Sequence, residues 1–328
     1  MKALLNLTRW PNLLIIILTM VLMRYAVILP ILGRILFIPV TGDGEAVPMT
    51  LQLPWHEFML LVLATIFITA GGYVINDYFD IRTDLINRGQ VIVGTKIPRR
   101  KAMMWHTVFN AAGVAAGFYI SWRAGYFWLG TLFLIVSGLL YFYSASYKRQ
   151  FLVGNLLVSL LTALVPLLVV FYEWPALYRH YFVNAVSLPD FNIIIYWVGG
   201  FALFAFLTTL SREIIKDIED FEGDHAYGRN TVPIVLGTLS ARMIAASLNI
   251  ITIALLYLVW YLAISDIITL VYLSVMIVIP LLYVIYQLIV NRSSKEGISR
   301  ASRWMKIVML TGILYSVVVK IILTWELF

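Results

Sequence analysis

The sequence predicts an all-α polytopic membrane protein with nine transmembrane helices. Of its 328 residues, 62% are hydrophobic and only 12% are charged. The apolar residues fall in repeated stretches that are long enough to cross a bilayer, which excludes an ordinary soluble domain. The chain has no cysteine, so disulfides and thiolate chemistry are excluded as well.

Nine apolar stretches are the predicted spans. They lie near residues 12–37, 56–76, 102–122, 126–147, 151–172, 191–212, 240–263, 267–290 and 305–325. The first stretch shows no cleavable signal peptide and is expected to remain as a span. The spans form a single membrane-embedded domain, 1–328. Because acidic loops follow the second and the sixth spans, we expect two pseudo-repeated halves, about 1–150 and 151–290, and a final helix.

Lysine and arginine are concentrated in alternate loops, which sets the predicted orientation by the positive-inside rule. The basic side carries Lys2, Arg9, Arg82, Arg88, Lys96, Arg99, Arg100, Lys101, Lys148, Arg149, segment 212–242, Arg292, Lys295, Arg300, Arg303 and Lys306. The N-terminus is therefore predicted to be cytoplasmic and the C-terminus outside. The net charge of +7 is explained by this topology and by attraction of the basic loops to anionic membrane lipids. No nucleic-acid partner is therefore expected.

Two acidic segments follow the second and sixth spans, both on the predicted cytoplasmic side. They read NDYFDIRTD at 76–84 and REIIKDIEDFEGD at 212–224. On a continuous helix with about 100° per residue, the polar groups of each segment would share one face, within an arc of about 100° for the first and about 60° for the second. These residues are Asn76, Asp77, Asp80 and Asp84, then Glu213, Asp217, Asp220 and Asp224.

Clustered carboxylates at a membrane boundary require a countercharge, because like charges one helical turn apart repel. An all-oxygen ligand set suits Mg²⁺, which usually shares its shell with substrate phosphates. The neighbouring bases suit the same phosphates: Arg82, Arg88, Lys148, Arg149, Arg212, Lys216 and Arg229. Two clusters with the same D-x-x-D-x-x-x-D spacing favour a metal-bridged diphosphate site over two solvated helix ends.

The paired motifs in a nine-span chain resemble the UbiA superfamily of intramembrane prenyltransferases. Three further stretches are similar to that family: RWPN at 9–12, YSASYKR at 143–149 and GRNTVPIVLG at 228–237. The chain departs from the family after the first motif, where NRGQVIVGTKIPRRKA replaces the frequent RP-x-P-S-G. The resemblance implies a helical bundle around a central cavity, with the active site on the cytoplasmic side.

The resemblance also implies a Mg²⁺-dependent transfer from a polyprenyl diphosphate, with geranylgeranyl as the expected chain, to a lipophilic acceptor. Two Mg²⁺ ions bridging the diphosphate would have as ligands Asn76, Asp77, Asp80, Asp84, Asp217, Asp220 and Asp224. The leaving diphosphate would be neutralised by Arg88, Lys148 and Lys216. Tyr143 and Tyr147 would shield an allylic cation with their rings. Further substrate-binding residues are expected to be Arg9, Arg149, Arg212 and Asn155.

The acceptor stays open at this stage. Segment 212–237 most resembles the branch that adds a second geranylgeranyl group to geranylgeranylglyceryl phosphate, where Asp84 or Asp224 would take the hydroxyl proton. An aromatic quinone precursor is the alternative, with Arg9 binding its carboxylate. A transporter is the alternative of another class, and it is disfavoured because the acidic residues lie at one boundary rather than at the midplane. Asn110 is expected to bridge helices, and Arg24 has no evident role.

Overall fold

The fold was obtained as a computed structural model that describes residues 2–41, 44–88, 91–290 and 295–325, without the side chains of 87, 88 and 295. The helices are α1 (Lys2–Leu7), α2 (Trp10–Leu32), α3 (Trp55–Phe79), α4 (Ile81–Arg88), α5 (Arg99–Arg123), α6 (Phe127–Ala145), α7 (Val153–Asn184), α8 (Ile193–Glu219), α9 (Phe221–Ala226), α10 (Val232–Leu236), α11 (Thr238–Ile264), α12 (Ile267–Ile289) and α13 (Lys295–Trp325). Strands β1 (Leu36–Phe37) and β2 (Val47–Pro48) form a small antiparallel hairpin.

Within the described residues, eight helices are long and apolar enough to cross a membrane: α2, α3, α6, α7, α8, α11, α12 and α13. This confirms the all-α membrane class. The predicted span at 102–122 lies in α5, which has 25 residues but is not among the eight. Polar side chains at His106 and Asn110 and a basic first turn lower its mean hydropathy. The count of nine spans therefore stays a prediction.

The long helices pack into a closed bundle. Helix α3 packs against α5 and α6, α7 packs against α8, and α8 also contacts α11 and α13. The last helix, α13, contacts α2 and α12 as well, which closes the arrangement. One apolar core cluster includes Met20, Phe58 and Leu168, and a second includes Leu281 and Met305. The bundle holds a cavity between α2, α3, α6, α7, α8 and α13.

Prolines mark several of the helix starts. Helices α3 and α5 each begin directly after a proline, Pro54 and Pro98. A proline there fixes the backbone angle φ and gives up no helical hydrogen bond. Helix α2 widens into a π-helical turn at Met23–Ile28, just before Pro30.

Each acidic motif contains a break in its helix, which differs from the continuous helix considered above. Helix α3 ends before Asp80 and α4 begins after it, while α8 ends before Asp220 and α9 begins after it. The two aspartates have nearly the same backbone angles, φ −91° and ψ 1° at Asp80 and φ −89° and ψ 8° at Asp220. This sparsely populated region lets the chain turn between the two helices of each motif.

A buried ion pair holds the end of the bundle opposite the motifs. Arg24 of α2 lies 3.4 Å from Glu173 of α7, and both side chains are almost fully buried. Glu173 also accepts hydrogen bonds from the backbone amides of Gln52 and Leu53, and Arg24 donates to the Leu53 carbonyl. The pair therefore fixes the segment that leads from the β-hairpin into α3.

Candidate active site

The two motifs open on one cavity of about 1280 Å³. Its deep wall is apolar, with side chains from α2, α6, α7 and α8. They include Ile16, Leu132, Val136, Leu161, Leu164, Phe201 and Phe204. Its mouth is charged, and the described residues there include Arg9, Asn76, Asp80, Asp84, Lys148, Asn155, Arg212, Glu213, Lys216, Asp217, Asp220, Asp224 and Arg229. The cavity thus has a polar end and an apolar end.

Basic residues from other segments hold the first motif, and two of them are Arg9 and Lys148. Arg9 Nη2 lies 2.9 Å from Asp77 Oδ1, and its guanidinium lies over the Tyr73 ring. Lys148 Nζ lies 2.7 Å from Asp80 Oδ1 and donates to Asn76 Oδ1 at 3.1 Å. Arg9 has a left-handed backbone, φ 50° and ψ 52°, which costs a non-glycine residue about 1 kcal/mol.

Arg229 joins the two motifs. Its Nη2 lies 2.6 Å from Asp80 Oδ1 and its Nη1 lies 3.0 Å from Asp224 Oδ1. Nη2 also donates to Thr83 Oγ1 at 2.9 Å. A guanidinium presents its donors in a planar fork, so a single side chain can contact two carboxylates at fixed positions. The second aspartate of one motif and the third of the other are therefore brought together.

The second motif also has contacts inside the bundle. Asn155 of α7 donates to Asp217 Oδ2 at 2.8 Å. Arg212 Nη1 lies 2.9 Å from Glu213 Oε1. Lys216 lines the same mouth. This part of the site combines carboxylates, an amide and cations around one opening.

Burial and ion pairs act against one another on the charged groups of the mouth. Burial raises the pKa of the Asp80 carboxyl, but Lys148 and Arg229 outweigh it and bring that pKa below its usual value. Burial lowers the pKa of the Lys148 ammonium to about 8, although Asp80 opposes this. Burial raises the pKa of Asp224 to about 6 against the effect of Arg229. These three charged side chains are largely buried at the mouth.

Most of the expected site residues lie at the cavity, but several do not line it. Tyr143 lines it, whereas Asp77, Tyr147 and Arg149 are not among the described lining residues. Asp77 is connected to the cavity through its ion pair with Arg9, which does line it. Arg149 instead lines a second, smaller cavity. The side chain of Arg88 lies outside the described part of the structure.

The sequence pattern does not distinguish three side chains of the site. It places Arg229 only among the bases near the motifs and Glu213 only among the acids of one helical face. No pattern singles out Thr83, which contacts Arg229. The available signal was position, because Arg229 follows the last aspartate of the second motif by five residues.

No three His, Cys, Asp or Glu side chains of the described residues converge as a ready-made metal site. The oxygen ligands are instead distributed around the mouth and paired with cations. Such a donor set suits Mg²⁺, which proteins usually hold with one or two carboxylates while phosphate and water complete its shell. It fits an all-protein metal cage poorly.

Comparison with known proteins identifies the fold. Residues 37–310 match the UbiA prenyltransferase family. A digeranylgeranylglyceryl phosphate synthase of Methanosphaera stadtmanae is 34% identical over 259 residues, 78% of this chain and 85% of that protein. The enzyme of the same name from Thermococcus kodakarensis is 33% identical over 202 residues, 61% of this chain and 65% of that one.

Solved structures have the same architecture. A structure from work on digeranylgeranylglyceryl phosphate synthase in membranes superposes with a TM-score of 0.61 at 23% identity, covering 96% of this chain and 98% of that chain. A UbiA homologue from Archaeoglobus fulgidus, bound to DMAPP and Mg²⁺, gives a TM-score of 0.51 at 20% identity, with coverages of 96% and 99%. At these identities the likeness establishes the fold.

Proposed function

The chain belongs to the UbiA prenyltransferase family, and we propose that it transfers a geranylgeranyl group from its diphosphate to the free hydroxyl of geranylgeranylglyceryl phosphate. The observation that carries this proposal is the junction of the two aspartate motifs at the mouth of one cavity, with Arg229 between Asp80 and Asp224. The relatives named digeranylgeranylglyceryl phosphate synthase support this acceptor over an aromatic quinone precursor.

The two ends of the cavity suit the two ends of a prenyl diphosphate. The apolar wall, with side chains such as Leu161 and Phe204, can take an isoprenoid chain out of water. Lys148 and Lys216 at the mouth can bind the diphosphate as charged donors. The donor would therefore lie with its reactive carbon at the boundary between the two regions.

The aspartates of both motifs would hold Mg²⁺, in the proposed arrangement two ions, between the protein and the diphosphate. Bound there, Mg²⁺ would neutralise the diphosphate and assist its departure. Among the residues of this chain, Asn76 and Asn155 add uncharged ligand or donor groups beside Lys148 and Asp217. Asp77 is paired with Arg9 and is not itself among the described lining residues, so it would need to exchange that partner to reach a metal.

The proposed reaction is an O-alkylation. The allylic C–O bond of the donor breaks and the diphosphate leaves with both bonding electrons. The acceptor oxygen then bonds to that carbon, and its proton passes to a carboxylate, for which Asp84 and Asp224 at the mouth are the candidates. Exclusion of water by the bundle protects the allylic cation from hydrolysis. Tyr143 lies at the cavity and would present its ring to the cation.

The proposed orientation places the motifs on the cytoplasmic side, with the N-terminus inside and the C-terminus outside. The loops that carry the motifs are also the loops rich in lysine and arginine, as the positive-inside rule requires. Substrates that are made in the cytoplasm would then reach the mouth directly. Accessibility of single introduced cysteines to a membrane-impermeant reagent tests this, since the chain has none of its own.

Purified protein in liposomes tests the reaction. It is supplied with geranyl, farnesyl and geranylgeranyl diphosphates and with geranylgeranylglyceryl phosphate or a hydroxybenzoic acid, and products are identified by mass. We expect an ether product from the glycerol phosphate, loss of turnover in EDTA and recovery with Mg²⁺. A prenylated aromatic product alone would replace the proposed acceptor, and turnover indifferent to EDTA would refute the metal-bridged site.

A further inference from the structure

A second cavity, of about 340 Å³, lies beside the mouth of the first. Arg229 and Thr83 line both cavities and separate them. The other walls come from α4, the first turn of α5 and the turn after α6, and they contribute Arg82, Arg99 and Arg149. The volume lies at the lower end of the range for ligand pockets, about 300–1,000 Å³.

The described lining of this cavity has four arginines and no acidic residue. Arg229 is paired with aspartates on its other side. No ion pair joins Arg82, Arg99 or Arg149 to a carboxylate within the part of the chain that the structure describes. Three uncompensated guanidiniums from separate segments therefore face one hollow, an arrangement that an anion would stabilise.

The composition of the cavity favours phosphate over a general attraction to the membrane surface. Basic residues at a cytoplasmic boundary commonly serve as topology signals, and lysine serves that purpose as well as arginine. Here Lys96, Lys101 and Lys148 lie nearby in sequence, yet the four described cations of the lining are all arginine. A planar guanidinium can contact two phosphate oxygens at once, which an ammonium cannot.

Two walls of the cavity are joined by the backbone. The amide of Asn230 donates to the carbonyl of Arg149 at 2.9 Å, so the turn that carries Arg149 is tied to the segment that carries Arg229. Tyr78 and Tyr227 add aromatic walls. The arginines are thus presented by connected segments, whereas side chains of a free loop would have no fixed relation to one another.

We propose that this cavity is a phosphate-binding site, distinct from the diphosphate site between the aspartate motifs, in which Arg82, Arg99 and Arg149 contact the anion. Two sources carry the chemistry that it recognises: free pyrophosphate in the cytoplasm and the phosphate headgroup of a membrane lipid. The proposal does not depend on the identity of the prenyl acceptor, because it rests on the lining of the cavity alone.

Calorimetric titration of the full-length protein in non-ionic detergent tests the site. EDTA is present throughout, so that metal-dependent binding between the aspartate motifs does not contribute. The probes are pyrophosphate and dihexanoyl phosphatidate, with dihexanoylglycerol as the lipid that lacks phosphate. Arg82→Gln and Arg149→Gln remove exposed side chains and should leave the unfolding temperature unchanged, which is measured in parallel.

Each of these two variants is expected to weaken binding of a phosphate probe about tenfold, the loss typical of one charge-assisted hydrogen bond. Arg100→Gln is the matched control, since Arg100 is equally basic and exposed but does not line the cavity. Lys216→Gln is the control for the first cavity. Both controls are expected to bind as the unaltered protein does.

Tighter binding of pyrophosphate would identify the free anion as the ligand, and tighter binding of phosphatidate would identify a lipid headgroup. Both results support the site. The proposal is refuted if neither probe binds, if dihexanoylglycerol binds as well as phosphatidate, if Arg100→Gln weakens binding as much as Arg149→Gln, or if only Lys216→Gln weakens it. None of these outcomes bears on prenyl transfer, because no turnover is measured.

Discussion

Replacing Arg229 by glutamine tests the junction between the two motifs. The change removes a cation from between Asp80 and Asp224, which are 8% and 2% exposed. Removing one partner of a buried pair typically costs about 3–5 kcal/mol, because the remaining charge is uncompensated. Asp80 keeps Lys148 at 2.7 Å, so most of the loss arises at Asp224. We therefore expect the lower end, about 3 kcal/mol of the free energy of unfolding.

The measurement is unfolding in mixed micelles with increasing SDS, in the presence of EDTA, followed by circular dichroism. Arg149→Gln is the matched control, because it removes an exposed arginine of a neighbouring segment and should cost less than about 0.5 kcal/mol. Arg229→Gln combined with Asp224→Asn should be more stable than Arg229→Gln alone, since it also removes the uncompensated charge. Equal stability of the Arg229 and Arg149 variants would refute the proposed junction.

Three further predictions concern single side chains. Asp217→Asn should abolish prenyl transfer with the protein still folded, whereas Asp190→Asn, on the exposed segment before α8, should not; near-normal turnover of the first variant would remove Asp217 from the site. Lys148→Ala should lower kcat/KM for the prenyl diphosphate by about a hundredfold, and an effect confined to the KM of the acceptor would contradict its role. Arg24→Met should reduce the free energy of unfolding by about 3–5 kcal/mol, and Arg24→Met with Glu173→Leu should recover most of it; no loss in the single variant would show that the pair is not structural.

The sequence was informative where one residue type had to recur at a fixed spacing. Repeated apolar stretches predicted the membrane helices because each must be long enough to cross the bilayer. The D-x-x-D-x-x-x-D pairs predicted a common site because such charges are costly at a membrane boundary without countercharges. Asn155 lines the cavity and donates to Asp217, and its predicted role in binding substrate stays a prediction.

Residue spacing does not predict ion pairs between segments that are far apart in the chain. The partner of Arg24, Glu173, and one of the two partners of Arg229, Asp80, lie far from them in the chain. Spacing therefore predicts no role for Arg24, whose partner Glu173 lies just beyond the fifth predicted span. Arg229 is one of several bases near the motifs, and only the contact of α9 with α4, together with the loop that follows α9, distinguishes it.

The helix breaks explain how Arg229 can reach both motifs. In a continuous helix, the third aspartate of each motif would lie about 6 Å further along the axis than the second. The breaks at Asp80 and Asp220 instead end the long helices there, and the short helices that follow, α4 and α9, contact one another. Asp224 then faces the first motif across a gap that one guanidinium fills. Periodicity fixes the face of each motif only up to its second aspartate, and the break at that aspartate allows the third aspartate of the second motif to approach the first motif.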